Sequence, residues 1–537
     1  MTSSQRLSPT LAAIAVALPM IAVIVAVVQG AAGADAELWA HLREYVLAAV
    51  AWNTVILVAG VVAIAMALGT SLAWLTAACG FPGRSFFSWA LLLPMAMPAY
   101  VLAFVAVATL DYAGAVPVLL RGWFGPELWL PPIRSTAGVI GVLAFAGYPY
   151  VYLMARGAFM THGARALEAA QSLGLGPWAG LFRVAIPLAR PWLAGGAALV
   201  AMETLADFGA VSVFNYDTFT TAIYKAWFAL FSIETALGLA LLLLLFVVVA
   251  LALERAARGQ ARYSASDSGA RAPLRIELTG ARAWLACGYA ALVFALGFAL
   301  PAVALAQWAW QVAPLDLDGR YVDYALRTLG LAGMAAILCL ALAIVLGYAT
   351  RRAAGPVAQA AARVATLGYA VPGAVLAVGV VTALGAADQA WRTLAGGEGL
   401  WLQGTVFALL LGYVARFLAV AHGPVQGGFE RIRPSLEEAA RGFGLGAREV
   451  LARLHLPLLG AGMGTAILLV FVDVMKEMPI TLMTRPFGWD TLAVRVFEMT
   501  AEGEWECAAL PSLAIVVAGL LPVVLLTWRM ERAARTA

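Results

Sequence analysis

Apolar residues gather in runs of about twenty, the length a helix needs to cross the hydrocarbon core of a bilayer. The runs fall near 11–28, 51–76, 88–110, 136–158, 187–209 and 233–253, and again near 283–306, 327–350, 365–386, 404–422, 460–480 and 508–528. They predict an all-α membrane protein of about twelve transmembrane helices in two groups of six. The first run follows Arg6 and precedes small residues near Ala31, as in a secretory signal. Its length and the eleven runs behind it predict a retained first helix instead. Between the groups lies the longest polar stretch, with Arg-Gly-Gln, Tyr-Ser-Ala-Ser-Asp-Ser-Gly and Arg-Ala-Pro. Such turn and flexibility residues mark a linker. The expected organisation is a first module at 1–254, a cytoplasmic linker at 255–282 and a second module at 283–537.

Composition agrees with the pattern. Of 537 residues, 63% are hydrophobic and 12% charged, against about 25% charged in ordinary soluble proteins. A soluble globular fold and a disordered chain are both excluded. Arginines crowd one set of loops: Arg156, Arg165, Arg183 and Arg190; the linker from Arg255 to Arg282; Arg431 to Arg453; and the C-terminal Arg529, Arg532 and Arg535. By the positive-inside rule these loops and both termini face the cytoplasm. The net charge of +4 is not clustered on a soluble face, as a nucleic-acid surface requires. Cys79, Cys287, Cys339 and Cys507 are scattered, mostly within apolar runs, and read as small hydrophobes. His41, His162, His422 and His455 form no spaced metal cluster and read as surface or interfacial residues, so no metal ligand is assigned.

The chain repeats itself. Glu168-Ala-Ala-Gln-Ser-Leu-Gly174-Leu-Gly176 returns as Glu438-Ala-Ala-Arg-Gly-Phe-Gly444-Leu-Gly446, and the match runs on through Leu181/Leu451, Arg183/Arg453 and Pro187/Pro457 at an offset of 270. Pro98 with Val101-Leu-Ala matches Pro372 with Val375-Leu-Ala at 274, an offset shared by Thr54 and Thr328. Six spans per half is an even number, so the halves are parallel repeats and both copies of the loop face the same side. Locally each loop predicts a short helix that stops at a glycine able to adopt positive φ, Gly174 or Gly444, followed by a second helix that leads into the next span.

Glu-Ala-Ala, three residues, Gly, nine residues and a closing apolar-x-apolar-Pro resembles the coupling-loop motif of permease subunits of bacterial ABC importers. The resemblance covers nearly the whole chain. It implies a MetI-like pseudodimer in the bacterial inner membrane, with two modules fused where most family members carry one. It further implies coupling loops at 164–187 and 434–457, in which Glu168, Ala169, Ala170 and Gly174, with Glu438, Ala439, Ala440 and Gly444, contact two copies of a separate ATPase subunit. A periplasmic or extracellular binding protein would deliver the cargo. A phosphate-binding P-loop needs Gly-x-x-x-x-Gly-Lys-Ser/Thr, and the only lysines, Lys225 and Lys476, lie in other surroundings. ATP and magnesium therefore belong to the partner, and this chain has no cofactor and no enzymatic role.

The fifth and eleventh runs each carry two acids, Glu203 with Asp207 and Asp473 with Glu477, equivalent at the offset of 270. Spacing i,i+4 places each pair on one helical face, and acids kept inside a membrane usually mark a pathway. Carboxylates favour a cation. Glu203-Thr-Leu-Ala-Asp207 through Asn215-Tyr-Asp-Thr, and Asp473-Val-Met-Lys-Glu477-Met-Pro through Arg485-Pro-Phe-Gly-Trp-Asp, resemble ferric-iron permeases and imply iron(III) as cargo. Thiamine or another organic cation is the alternative. A gradient-driven secondary transporter, with the acids as relays, is the rival of a different class.

Overall fold

A computed structural model describes residues 3–33, 36–160, 176–258, 276–353, 355–396 and 399–536. The long helices are α1 (Ser3–Ala31), α2 (Leu47–Ala78), α3 (Ala99–Leu110), α4 (Thr136–Ala158), α5 (Ile186–Ala206), α6 (Ile233–Arg258), α7 (Ala281–Asp316, through a π-helical turn at Ala295–Ala299), α8 (Gly319–Ala353), α9 (Gly373–Ala395), α10 (Val406–Arg431), α11 (Leu456–Met475) and α12 (Ala509–Thr536). Among the described residues eleven helical stretches are long and apolar enough to cross a membrane, and a shorter apolar one, Ala509–Leu525, forms most of α12. The chain is an all-α, multi-pass membrane protein. Its only strands among the described residues, Cys79–Gly80 and Ile276–Glu277, pair in parallel.

The third and ninth spans start later than the hydropathy predicts. The apolar text from 88 and from 365 is first spent on 3-10 turns, Leu93–Ala96 and Leu367–Ala370, and the helices begin only after Pro98 and Pro372. Proline has no N–H for the ladder and fixes φ, so it opens a helix more readily than it continues one. Hydropathy is blind to this break. Equivalent N-caps confirm the repeat at the start of α4 and α10: Ser135 Oγ accepts from the Gly138 N–H at 3.2 Å, and Thr405 Oγ1 from the Ala408 N–H at 3.4 Å.

The helices form two compact units. One comprises residues 43–221, 245–316 and 496–537. Its centre is α2 packed along α4, with α5 against both. Gly69 makes the first contact close, since a Cβ there would come within 2.6 Å of the Val151 side chain. The second-half helices α7 and α12 complete this unit. Tyr289 on α7 bonds Ser71 on α2 at 2.7 Å, and Gly519 on α12 abuts the Ala96 carbonyl.

The other unit comprises residues 1–42, 222–244 and 317–495. Here α8, α10 and α11 pack together, with α9 beside α10. Helix α1 lies along α8 and α9, and Gly379 on α9 admits it: a Cβ would meet Val23 at 2.7 Å. The modules read along the chain are divisions of sequence, whereas the compact units are divisions of space. Each unit has the second-to-fifth helices of one half together with the first helix, and part of the sixth or all of it, from the other.

Candidate functional site

The second repeated loop is described throughout. Its first helix, Pro434–Gly442, starts with proline at the first position and stops at Gly444, whose φ of +80° is the left-handed conformation the sequence calls for. Leu445 N–H reaches back to the Ala440 carbonyl at 3.2 Å and Gly444 N–H to that of Arg441 at 2.9 Å, a Schellman ending. A four-residue helix, Ala447–Val450, follows, and Glu449 returns its carboxylate to the Gly446 N–H at 2.9 Å. A π-helical turn, Leu451–His455, then runs straight into α11. The predicted helix–turn–helix is present, with no separate stop before Pro457.

One edge of the Pro434–Gly442 helix is tied down. Glu437 accepts from Arg351 Nε at the end of α8, lies 3.0 Å from His455 Nε2, and pairs with Arg441 at 3.1 Å. Arg351 also donates to the Phe429 and Ile432 carbonyls at the end of α10. Rings close around the cluster: His455 meets Phe429 and Tyr348 edge-on, and Tyr348 Oη donates to the Ala447 carbonyl at 2.9 Å. Burial pushes the Glu437 carboxyl up, but Arg351 and His455 outweigh it and hold the group below its ordinary 4.5. The opposite edge is open. Glu438 and Ala439 are exposed, as are Leu436 and, at 87%, Phe443, while Ala440 turns inward. In the first loop Glu168, Ala169, Ala170 and Gly174 lie outside the described residues.

The four acids do not sit as pairs on helical faces. Helix α5 ends at Ala206, and Asp207 is already extended, its Oδ1 accepting the Val211 N–H at 3.1 Å ahead of a short helix, Gly209–Val213. An aspartate that satisfies backbone donors beyond itself competes with helix continuation. Helix α11 ends at Met475 because Pro479 supplies no N–H for another turn. Glu477 Oε1 then accepts the Ile480 N–H at 2.9 Å. So i,i+4 spacing is interrupted at the same point in both halves. The members also differ in company. Asp473 pairs with Lys476 at 2.9 Å, and Glu477, 6% exposed, pairs with the buried Arg416 of α10 at 3.5 Å. Gly373 makes room for that arginine, because a Cβ would stand 2.6 Å from Nη1. Asp207 has no basic partner among the described residues. The residues equivalent to Arg416 and Lys476 are Ala146 and Ala206.

Residues 65–259 match the family of binding-protein-dependent transport system inner membrane components. Over 479 residues, 88% of each chain, the sequence is 26% identical to the Fe(3+)-transport system permease protein FbpB 2 of Haemophilus influenzae. Residues 65–259 therefore carry a domain of that family, and over most of its length the chain is similar to a two-module permease. Other relatives cover about one module: the molybdenum permease ModB of Escherichia coli, 28% identical over 33% of this chain and 79% of its own, and the sulfate permease CysT of Escherichia coli, 32% identical over 27% and 50%.

Several residues of this permease escape a sequence reading. His455 is not a surface residue, being 1% exposed beneath the loop it helps to fix. Glu437, Arg351 and Arg416 were unremarkable in the sequence, since their partners come from distant segments. Asp388 on α9 is buried and accepts the backbone N–H groups of Trp401, Leu402 and Gln403 at 3.0–3.2 Å, pinning the loop before α10. An acid seventeen residues ahead of a Thr405 N-cap is the one available hint. Among the described residues no three His, Cys, Asp or Glu side chains converge as a metal site.

Proposed function

We propose that this permease supplies both halves of the pore of an ATP-driven importer, with iron(III) as cargo. The observation that carries the reading is the Pro434–Gly442 helix, tied to the cores of α8 and α10 on one edge and offering Glu438, Leu436 and Phe443 on the other. A short helix with an exposed aromatic and an exposed acid suits the cleft of a partner, and its rigid attachment suits the transmission of that partner's movement. Its sequence twin around Glu168–Gly176 would engage a second copy, keeping the acid at Glu168 with Ala166 and Leu173 in place of Leu436 and Phe443. The arginine-rich side then faces the cytoplasm, both termini lie there, and ATP and magnesium reside on the partner. A binding protein outside the membrane delivers cargo, and the helices alternate access around it.

Iron(III) rests on the relative named as an Fe(3+) permease, which spans both modules, and on carboxylates where the helices break. A hard cation prefers oxygen ligands, and Asp207 has no fixed cation of its own to satisfy it.

Two measurements test the reading. Purified permease with its ATPase hydrolyses ATP faster when loaded binding protein is added, and Gly174→Pro with Gly444→Pro abolishes that stimulation at normal expression. Transport without any ATPase would instead identify a gradient-driven carrier. In cells expressing the complete transporter, labelled iron(III) enters and excess thiamine or putrescine does not compete; competition by either would transfer the cargo to an organic cation.

A further inference from the structure

We infer that the two coupling loops are mechanically unequal, and that Glu437 is the positioning residue through which the second loop drives its core. The inference rests on the importer reading above. In the second half, the carboxylate of Glu437 gathers Arg351 from α8, His455 from the turn before α11 and Arg441 from its own helix, while Arg351 also holds two carbonyls at the end of α10. One side chain thereby joins the partner-facing helix to three core helices. Charge-assisted hydrogen bonds of this kind are short and directional, and at low exposure they resist rearrangement.

The first half lacks these three polar groups in its sequence. At the offsets of the repeat, Glu437 corresponds to Leu167, Arg351 to Ala77 and His455 to Ala185. The aromatic shell persists in altered form: Phe429 corresponds to Phe159 and Tyr348 to Trp74, and Trp74 meets Phe159 edge-on with ring centres 5.6 Å apart. In sequence the three polar residues give way to one leucine and two alanines. Apolar contacts are not directional, so they let a loop slide against its core where a fixed carboxylate–guanidinium fork does not. A push on the second loop therefore reaches α8 and α10 with little slip, and a push on the first is transmitted less completely.

The test measures coupling, not stability alone. In proteoliposomes holding the permease, its ATPase and loaded binding protein, ATP hydrolysis and cargo uptake are followed together. Glu437→Ala is expected to lower uptake by about tenfold or more, the scale of losing one charged hydrogen bond, while hydrolysis falls by less than about twofold, so that more ATP is consumed per ion moved. Glu437→Asp should recover part of the uptake, and Leu167→Ala in the first half should cost less than about twofold. Arg351→Lys, which keeps charge but loses the fork, covers the case in which Glu437→Ala fails to accumulate, and it should raise the same ATP-to-cargo ratio. Equal effects of Glu437→Ala and Leu167→Ala, or an unchanged ratio in Glu437→Ala and Arg351→Lys, would overturn the inference. A wild-type permease that never stimulates its ATPase would overturn the importer reading, and the inference with it.

Discussion

At the residue scale, equivalent positions of the repeat have taken different electrostatic solutions. Glu477 is balanced by Arg416, both nearly dry, so removing one partner strands the other. Glu477→Gln is expected to destabilise the protein by about 3–5 kcal/mol. Asp207→Asn strands no cation and keeps an oxygen for the Val211 N–H, so it should cost less than about 1 kcal/mol. Thermal melting in detergent distinguishes the two; equal losses would mean that Asp207 is structural. What could be read in the sequence at this scale was whatever depends on a residue's own backbone. Gly444 announced its turn because few other residues accept positive φ. Glu437 and Arg416 announced nothing, because a charge becomes a clamp only through partners dozens of residues away.

At the element scale, apolar run length identified the helices correctly and proline corrected their starts. Hydropathy gives a helix its length but not its neighbour, and close approach is decided by small residues. Gly379 and Gly297 look alike in the chain and differ in space. A Cβ at Gly379 would stand 2.7 Å from Val23, whereas at Gly297 the nearest atom, on Pro94, is 3.4 Å away. Gly379→Ala is expected to lose about 1–3 kcal/mol by overpacking α1 against α9, and Gly297→Ala less than about 1 kcal/mol. Melting temperatures of the two variants check this directly; equal shifts would mean that α1 gives way freely.

At the scale of the whole molecule, the sequence reveals a duplication but not how its halves share their helices. Repeat detection compares residues, and nothing in a residue comparison says that α1 packs on α9 or that α7 and α12 join α2 and α4. The consequence can be tested by cutting the chain between 259 and 275. Residues 1–258 or 276–537 expressed alone should be degraded, because each lacks helices its own core needs. Expressed together from two genes they should assemble, giving a protein of full size in gentle detergent and restored uptake. Stable accumulation of either piece by itself would contradict the compact units found here.

The same exchange sets a timetable for biogenesis. Val23 leaves the ribosome some 350 residues before Gly379, a delay of roughly twenty to seventy seconds at ordinary rates of synthesis. Throughout that interval α1 waits in lipid without its α8 and α9 neighbours, the segment of α6 around Leu237 being the one earlier contact at Gly30, so survival of the newborn chain hinges on whatever shelters it from quality-control proteases until its distant partners emerge.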